Sequence, residues 1–290
     1  MTNDKIHILI EALPYIKKFQ GKTFVIKYGG SIMESEEVRD AFIEDIVLLT
    51  LVGIKIVIVH GGGPSINDAL ERLGVKTEFK EGLRVTDELT MEVVEMVLTG
   101  KINKKIVSEL CRHGIKGIGI SGRDDNLIIA TKKTILKGDE ILDIGYVGDV
   151  KKINNGVLNI LIENNYVPVI SPVGCDDDGN SFNINADFVA SAISHSLKAE
   201  KLLLITDIEG LYKDINDKST FISSINLEEI KKLIEDGTIC GGMIPKMKCC
   251  IEALENGTKN IHLIDGRTKH SLLLEIFTKE GLGTMIEGDN

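Results

Sequence analysis

Tryptophan is absent from the 290-residue chain and aromatic side chains make up only 4% of it. There is little flat ring surface on which bases could stack. Positive charge is short as well: 34 Lys+Arg against 44 Asp+Glu leave a net charge of −10, which argues against a surface built to coat nucleic acid or anionic lipid. No long apolar run exists. The most apolar stretch, residues 46–59, is interrupted by Thr50, Gly53 and Lys55, well short of the ~20 residues a membrane span needs. The N-terminal segment is amphipathic and mixed in charge, with no basic leader, continuous apolar core or small-residue cleavage site, so a mature cytoplasmic protein is expected. The five cysteines, Cys111, Cys175, Cys240, Cys249 and Cys250, are scattered and form no Cys-x-x-Cys pair. Buried free thiols are expected, and neither disulfides nor structural zinc.

Glycine, by contrast, is abundant at 29 residues, above the usual ~7%. With 43% hydrophobic and 27% charged residues the composition is that of an ordinary globular protein, long enough for one large α/β unit or two lobes. Short β-branched runs at 23–27, 55–60, 117–120, 167–171, 201–206 and 260–264 alternate with amphipathic stretches at 36–52, 64–73, 89–113, 186–197, 227–235 and 246–254. Such alternation predicts an α/β fold, a three-layer αβα sandwich around an open, mostly parallel central sheet. Residues 127–130, 143–150 and 181–184 read instead as short antiparallel strands, with Asp176-Asp177-Asp178-Gly179 as a hairpin tip. The parallel pattern returns at Lys201, which puts a lobe boundary near residue 195. At the start, Ile6, Leu9, Ile10, Leu13 and Ile16 form a helical stripe before any strand exists to cover it, and Pro14 is expected to kink that helix. It could pack on its own sheet or dock on another subunit.

Two glycine turns carry most of the chemical signal. One strand ends in Lys27-Tyr28-Gly29-Gly30-Ser31; another ends in His60-Gly61-Gly62-Gly63-Pro64-Ser65 and leads into a helix. Glycines let backbone approach an anion closely, and free N–H groups at a helix start point at it. Rival motifs fail on context. Gly21-Lys22-Thr23 precedes a strand instead of following one, and Ile16 stands where a Walker loop needs its first glycine. The letters of a dinucleotide fingerprint occur at Gly117, Gly119 and Gly122, but no helical periodicity follows. Around Asp176–Asp178, an EF-hand would need an acidic first ligand and a final Glu, where Gly174 and Asn185 stand.

These turns, with Gly82-Leu83-Arg84-Val85-Thr86, Phe182-Asn183-Ile184-Asn185-Ala186-Asp187, Thr206-Asp207-Ile208-Glu209-Gly210-Leu211-Tyr212 and Gly241-Gly242-Met243-Ile244-Pro245-Lys246, make the chain resemble the amino acid kinase family from end to end. Within that family, the Gly-Leu-Arg-Val-Thr and Asn-Ile-Asn-Ala-Asp segments resemble the N-acetylglutamate kinases of arginine biosynthesis. The resemblance implies that ATP donates its γ-phosphoryl group to the side-chain carboxylate of N-acetyl-L-glutamate. A carboxyl with a pKa of ~4.3 is already an anion at neutral pH, so no general base is required; the task is to bring two anions together and spread charge in the transition state.

By the same resemblance, Lys27 and Lys246 are the transition-state lysines and Asp187 orients both. Gly62, Gly63, Arg84 and Asn183 hold acetylglutamate. Gly29, Gly30, Asp207, Gly210, Tyr212 and Lys213 are candidates for ATP. Mg²⁺ would be held largely by the phosphates, and no protein ligand is named for it. Residues 1–195 become an acetylglutamate lobe that also makes subunit contacts, and residues 196–290 an ATP lobe. The N-terminal helix, residues 1–20, and the segment from His270 to Thr284 are similar to those of arginine-inhibited hexamers, trimers of dimers; Tyr15, His270 and Glu280 are the effector candidates. Singly, each has a plainer reading: a solvated Lys27 or Lys213, a first-turn Lys246, Asp187 as a helix cap, Arg84 paired with Glu81 or Asp87, Glu280 solvated. Other possibilities are a family member acting on aspartate, glutamate, carbamate or UMP, or a non-catalytic arginine-binding regulator, against which intact Lys27, Asp187 and Lys246 count.

Overall fold

Alternation of branched apolar residues sorts each strand between two faces, and that sorting organises the molecule. The computed structural model describes residues 2–30, 32, 35–137, 140–241, 243–279 and 281–288. Its main sheet has eight strands: β1 (Thr23–Tyr28), β2 (Lys55–His60), β3 (Gly117–Ser121), β4 (Val167–Ser171), β5 (Lys201–Thr206), β6 (Ser224–Asn226), β7 (Asn260–Asp265) and β8 (Thr284–Glu287). Their spatial order is β6-β8-β7-β5-β1-β2-β4-β3, parallel throughout except for β7 against β8. The sheet runs without interruption across residue 195, since β1 pairs with β5 on one side and β2 on the other.

On one face, Phe24, Ile26, Ile56, Ile58, Leu203 and Ile205 belong to a core with α2 (Glu36–Leu51), α3 (Gly63–Arg72), α4 (Glu88–Glu95) and α5 (Asn103–Arg112). The residues between them, Val25, Val57, Val59, Leu202 and Leu204, belong to a second core with α6 (Gly156–Glu163), α7 (Ala186–Ser196), α8 (Leu227–Glu235) and α9 (Met243–Glu255). This is the expected αβα sandwich, and most predicted elements lie within a residue or two of their expected ends. The long helix expected over 89–113 consists of α4 and α5 joined by a π-helical segment, Met96–Ile102. Helix α6 was not anticipated: its sequence, GVLNILIE, is so apolar that no 3.6-residue stripe stands out.

A satellite sheet joins Ser181–Asn183, Val173–Cys175, Ile128–Lys132 and Gly148–Ile153, with the Asp176 hairpin where expected. Residues 143–147 do not form the expected strand. Gly145 has a φ of +72°, which ends the extended run; Gly145 and Val147 make only isolated bridges to Thr86 and Asn183. The thiol expectation also needs correction: all five cysteines are free, but only Cys175, Cys249 and Cys250 are buried, while Cys111 and Cys240 are exposed on helix and loop surface.

The first helix, α1 (Thr2–Phe19), continues through Pro14. Ala12, Tyr15 and Ile16 pack against the first core, yet Ile10 and Leu13 remain 55% and 57% exposed. Part of the stripe therefore packs on the molecule's own core, and part stays exposed. No described helix is long and apolar enough to cross a membrane.

Candidate functional site

Parallel sheets present their carboxyl ends, and the turns that follow them, to ligands. Here Lys27 lies one residue from the end of β1, on the face shared with Val25, where α7 and α9 pack. Helix α7 begins with Asn185 as its cap, whose side-chain oxygen accepts the Asp187 backbone N–H at 2.8 Å. Capping is thus done by Asn185, which leaves the Asp187 carboxylate free to point elsewhere. It takes Lys27 Nζ at 2.9 Å on one oxygen and Lys246 Nζ at 3.1 Å on the other. Lys246 stands in the first turn of α9.

All three side chains are largely buried, 12 to 16% exposed. Burial alone would push the Asp187 carboxyl up, but Lys27 and Lys246 outweigh it and hold the group at about 2. Lys246 experiences the reverse: burial favours the neutral amine, and the Asp187 carboxylate more than offsets this and raises its pKa. One carboxylate thus aims both ammonium groups at the mouth of the sheet.

Beside this hub the two glycine turns touch. A Cβ on Gly30 would come within 3.0 Å of Gly62 N and 3.2 Å of its Cα, and a Cβ on Gly62 would collide with Leu98 and Ile102 of the π-helical segment. A side chain on Gly30 would crowd the backbone of the other turn, and one on Gly62 would push aside the tips of Leu98 and Ile102. Gly62 caps α3 and Pro64 occupies its first turn, so the helix opens with unpaired N–H groups directed at this junction.

A cavity of roughly 240 Å³ adjoins the junction, lined by Gly62, Gly63, Arg84, Asn183 and Phe79 among others. Arg84 is 8% exposed and pairs with neither Glu81 nor Asp87. Its Nη2 donates to Asn67 Oδ1 at 2.6 Å and to Gly63 O at 3.4 Å, and its guanidinium lies 4.8 Å from the centre of the Phe79 ring. Nη1 is buried with no hydrogen-bond partner among the described residues. An unmet guanidinium donor beside a cavity suits a carboxylate. Asn183 is held by its amide nitrogen, which donates to Thr86 Oγ1 at 3.2 Å, while that hydroxyl donates to Arg84 O at 2.8 Å. Asn67 was not noted in the sequence, and Thr86 was noted only as part of a motif, not as a site residue. Their signal was position: Asn67 lies one helical turn beyond Gly63, and Thr86 two residues beyond Arg84.

The ATP candidates Asp207, Gly210, Tyr212 and Lys213 follow β5, in and before a small hairpin of Leu211–Tyr212 with Phe221–Ile222. Tyr212 packs edge-on against Phe221 at 5.2 Å and donates its hydroxyl to Glu209 at 2.6 Å. Lys213 is exposed. Gly29 sits where a Cβ would meet Ile205 O at 2.9 Å, which ties the first turn to the end of β5.

The effector candidates are not brought into this site. Tyr15 packs against the core below α1. His270 Nδ1 lies 2.7 Å from Asp45 Oδ1, ahead of α10 (Ser271–Phe277). Glu280 lies outside the described residues. A further buried ionic chain was not anticipated at all: Lys201 Nζ to His262 Nε2 at 2.5 Å, then His262 Nδ1 to Glu275 Oε1 at 2.5 Å.

Residues 22–265 match the amino acid kinase family. The chain is 56% identical to the acetylglutamate kinase of Thermoanaerobacter pseudethanolicus, over 97% of this chain and 93% of that one. It is 53% identical to the acetylglutamate kinase of Heliobacterium modesticaldum, over 98% of each. Among solved structures, N-acetylglutamate synthase from Neisseria gonorrhoeae, complexed with coenzyme A and N-acetyl-glutamate, superposes with a TM-score of 0.85 at 25% identity, over 98% of this chain and 64% of that longer one.

Proposed function

The chain belongs to the amino acid kinase family, and from that premise we propose how its residues carry out the reaction of its full-length relatives. ATP phosphorylates the side-chain carboxylate of N-acetyl-L-glutamate to N-acetyl-L-glutamyl 5-phosphate, a step in arginine biosynthesis. A carboxylate oxygen forms a bond to the γ-phosphorus, the bond from that phosphorus to the β–γ bridging oxygen breaks, and ADP leaves with the electron pair. No proton moves. The observation that carries this reading is Asp187 held between Lys27 and Lys246, beside touching glycine turns and an Arg84-lined cavity.

Arg84, Asn183, Gly62 and Gly63 hold the acceptor in the cavity. Lys27 and Lys246 stabilise the charge that spreads over the transferring group, with backbone N–H groups of the two turns, and Asp187 keeps both lysines in place. Gly29, Gly30, Asp207, Gly210, Tyr212 and Lys213 bind the nucleotide. Mg²⁺ arrives with ATP as its phosphate complex. Residues 1–195 serve as the acceptor lobe and 196–290 as the nucleotide lobe of this cytoplasmic enzyme.

Arginine acts as feedback inhibitor of a homohexamer in which α1 links dimers. The exposed Ile10 and Leu13, on a helix otherwise packed against the core, support that part, with Tyr15, His270 and Glu280 as the effector contacts. The test is ATP turnover with acetylglutamate, aspartate, glutamate, carbamate and UMP, each with and without arginine. Turnover confined to acetylglutamate and inhibited by arginine is the expected result. Preference for another acceptor overturns the substrate assignment.

A further inference from the structure

The second glycine turn is gripped from behind by a buried imidazole. His60, the last residue of β2, and Asn103, the first of α5, are both fully buried. His60 Nδ1 lies 3.0 Å from the Gly61 carbonyl oxygen. A carbonyl only accepts, so Nδ1 carries the proton and donates. On the other side of the ring, Nε2 lies 3.3 Å from Asn103 Nδ2. That amide is oriented independently: one Nδ2 hydrogen goes to Val169 O at 2.8 Å and Oδ1 accepts from Lys104 Nζ at 3.2 Å, which leaves the second Nδ2 hydrogen shared between the imidazole and Ile120 O at 3.4 Å. Facing an amide donor, Nε2 must be the bare acceptor. Both sides therefore specify the same neutral tautomer, with the proton on Nδ1.

The consequence lies in the next peptide unit. The Gly61 carbonyl and the Gly62 N–H share one planar peptide, and the described residues have no cis bonds; in a trans peptide the two groups point in opposite directions. A carbonyl held against the imidazole turns the Gly62 N–H away from it. Gly62 N is also the atom that stands against Gly30, within 3.0 Å of where a Cβ on that residue would lie. Glycine on both sides of the peptide leaves its orientation without side-chain restraint, so the choice between the two orientations falls to the imidazole.

We infer that His60 is a positioning residue for phosphoryl transfer: its Nδ1–H, held in that tautomer by Asn103, fixes the Gly61–Gly62 peptide so that the Gly62 N–H serves the junction of the two glycine turns. The inference rests on the reading of that junction as the transfer site. It adds a specific donor, set by a residue that itself touches no substrate.

Two measurements on the full-length enzyme test it. The nitrogen resonances of His60 at neutral pH should report the Nδ1–H tautomer; an Nε2–H tautomer or an imidazolium overturns the proposal, with no variant needed and whatever the acceptor proves to be. In kinetics, His60→Leu should lower kcat by about 10²-fold, the loss seen when one oxyanion donor is removed, with KM for both substrates changed by less than about 3-fold. His60→Asn, whose amide can donate near the position of Nδ1, should recover most of that loss. A folded His60→Leu enzyme with wild-type kcat, or one in which the whole loss appears in KM, overturns the assignment. Failure of the wild-type enzyme to phosphorylate acetylglutamate would instead overturn the functional reading and leave the tautomer result standing.

Discussion

Two buried carboxylates in this protein face buried ammonium groups, at opposite ends of the same parallel sheet. Asp187 meets Lys27 and Lys246 at the carboxyl ends of the strands. Glu275 meets His262 and, through it, Lys201, the first residue of β5. The partners differ in kind. Asp187 gives each of its oxygens to a lysine. Glu275 spends Oε1 on His262 and Oε2 on the backbone N–H groups of Leu282 and Gly283, at 2.7 and 2.8 Å, so its constellation closes on the protein itself. Buried charge alone does not mark a catalytic centre. What supports the role proposed for the Asp187 hub is its place at the strand ends, next to the glycine turns and a cavity.

The largest expected effect breaks this comparison on the catalytic side. Lys27→Ala or Lys246→Ala should lower kcat by about 10²- to 10³-fold while circular dichroism shows a folded protein; near-normal turnover in both would remove them from the mechanism. On the sealed side, Glu275→Ala should cost about 3 kcal/mol in denaturant unfolding, because it leaves His262 and Lys201 buried without their anion, while kcat of the folded enzyme stays unchanged. A drop in kcat with no loss of stability would erase the distinction between the two constellations. Smaller still, Arg84→Ala should raise KM for acetylglutamate by about 10- to 30-fold and alter kcat less; an unchanged KM would take Arg84 out of the acceptor pocket.

Stability against pH should separate the two ends by pH window, since both limbs rise with pH but one is acid and the other alkaline. Asp187 is held at about 2 when folded, from an ordinary 3.8. The stability it contributes, on the order of 2 kcal/mol, is present above the unfolded value and lost as pH falls toward the folded one. Lys201 is lowered by burial from 10.5 to about 8. Between these values the unfolded chain binds more protons, so this end gains stability as pH rises from about 8 toward 10.5. Replacing Asp187 by Asn and Lys201 by Met should each flatten only its own limb of the curve; flattening of the other limb would show that the assignments are crossed. The smallest effect concerns the surface: Ile10→Asp with Leu13→Asp should change protomer stability by no more than about 0.5 kcal/mol yet break up the proposed hexamer in sedimentation, and a hexamer that forms in the variant would count against α1 as its link.

Much of this was legible along the chain for a simple reason. Strands advertise a period of two, and glycine turns keep their chemistry within a few consecutive residues. From Val25, Lys27, Gly29 and Gly30 alone one reads a strand that ends in a cation and an anion-binding turn. Less legible were groups whose meaning depends on what lies behind them. His60 looked like an ordinary strand end until Asn103, 43 residues later, proved to hold its ring. Lys201 and Glu275 were not singled out at all, because no local pattern reports a buried partner on another element. Residues 143–147 were misread because a single glycine at φ +72° outweighs the β-propensity around it.

The sequence by itself determined the sandwich, the strand face on which Lys27 stands, and the glycine turns at the strand ends, since each follows from steric rules acting over a few residues. Tertiary structure alone decided that Lys27, Asp187 and Lys246 converge, that Arg84 keeps one donor unmet beside a cavity, and that His60 orients the peptide at the junction. Those outcomes depend on groups tens to hundreds of residues apart, brought to hydrogen-bonding distance by the packing of α7, α9 and α5 on the sheet, and Coulombic and hydrogen-bond energies act only at that range.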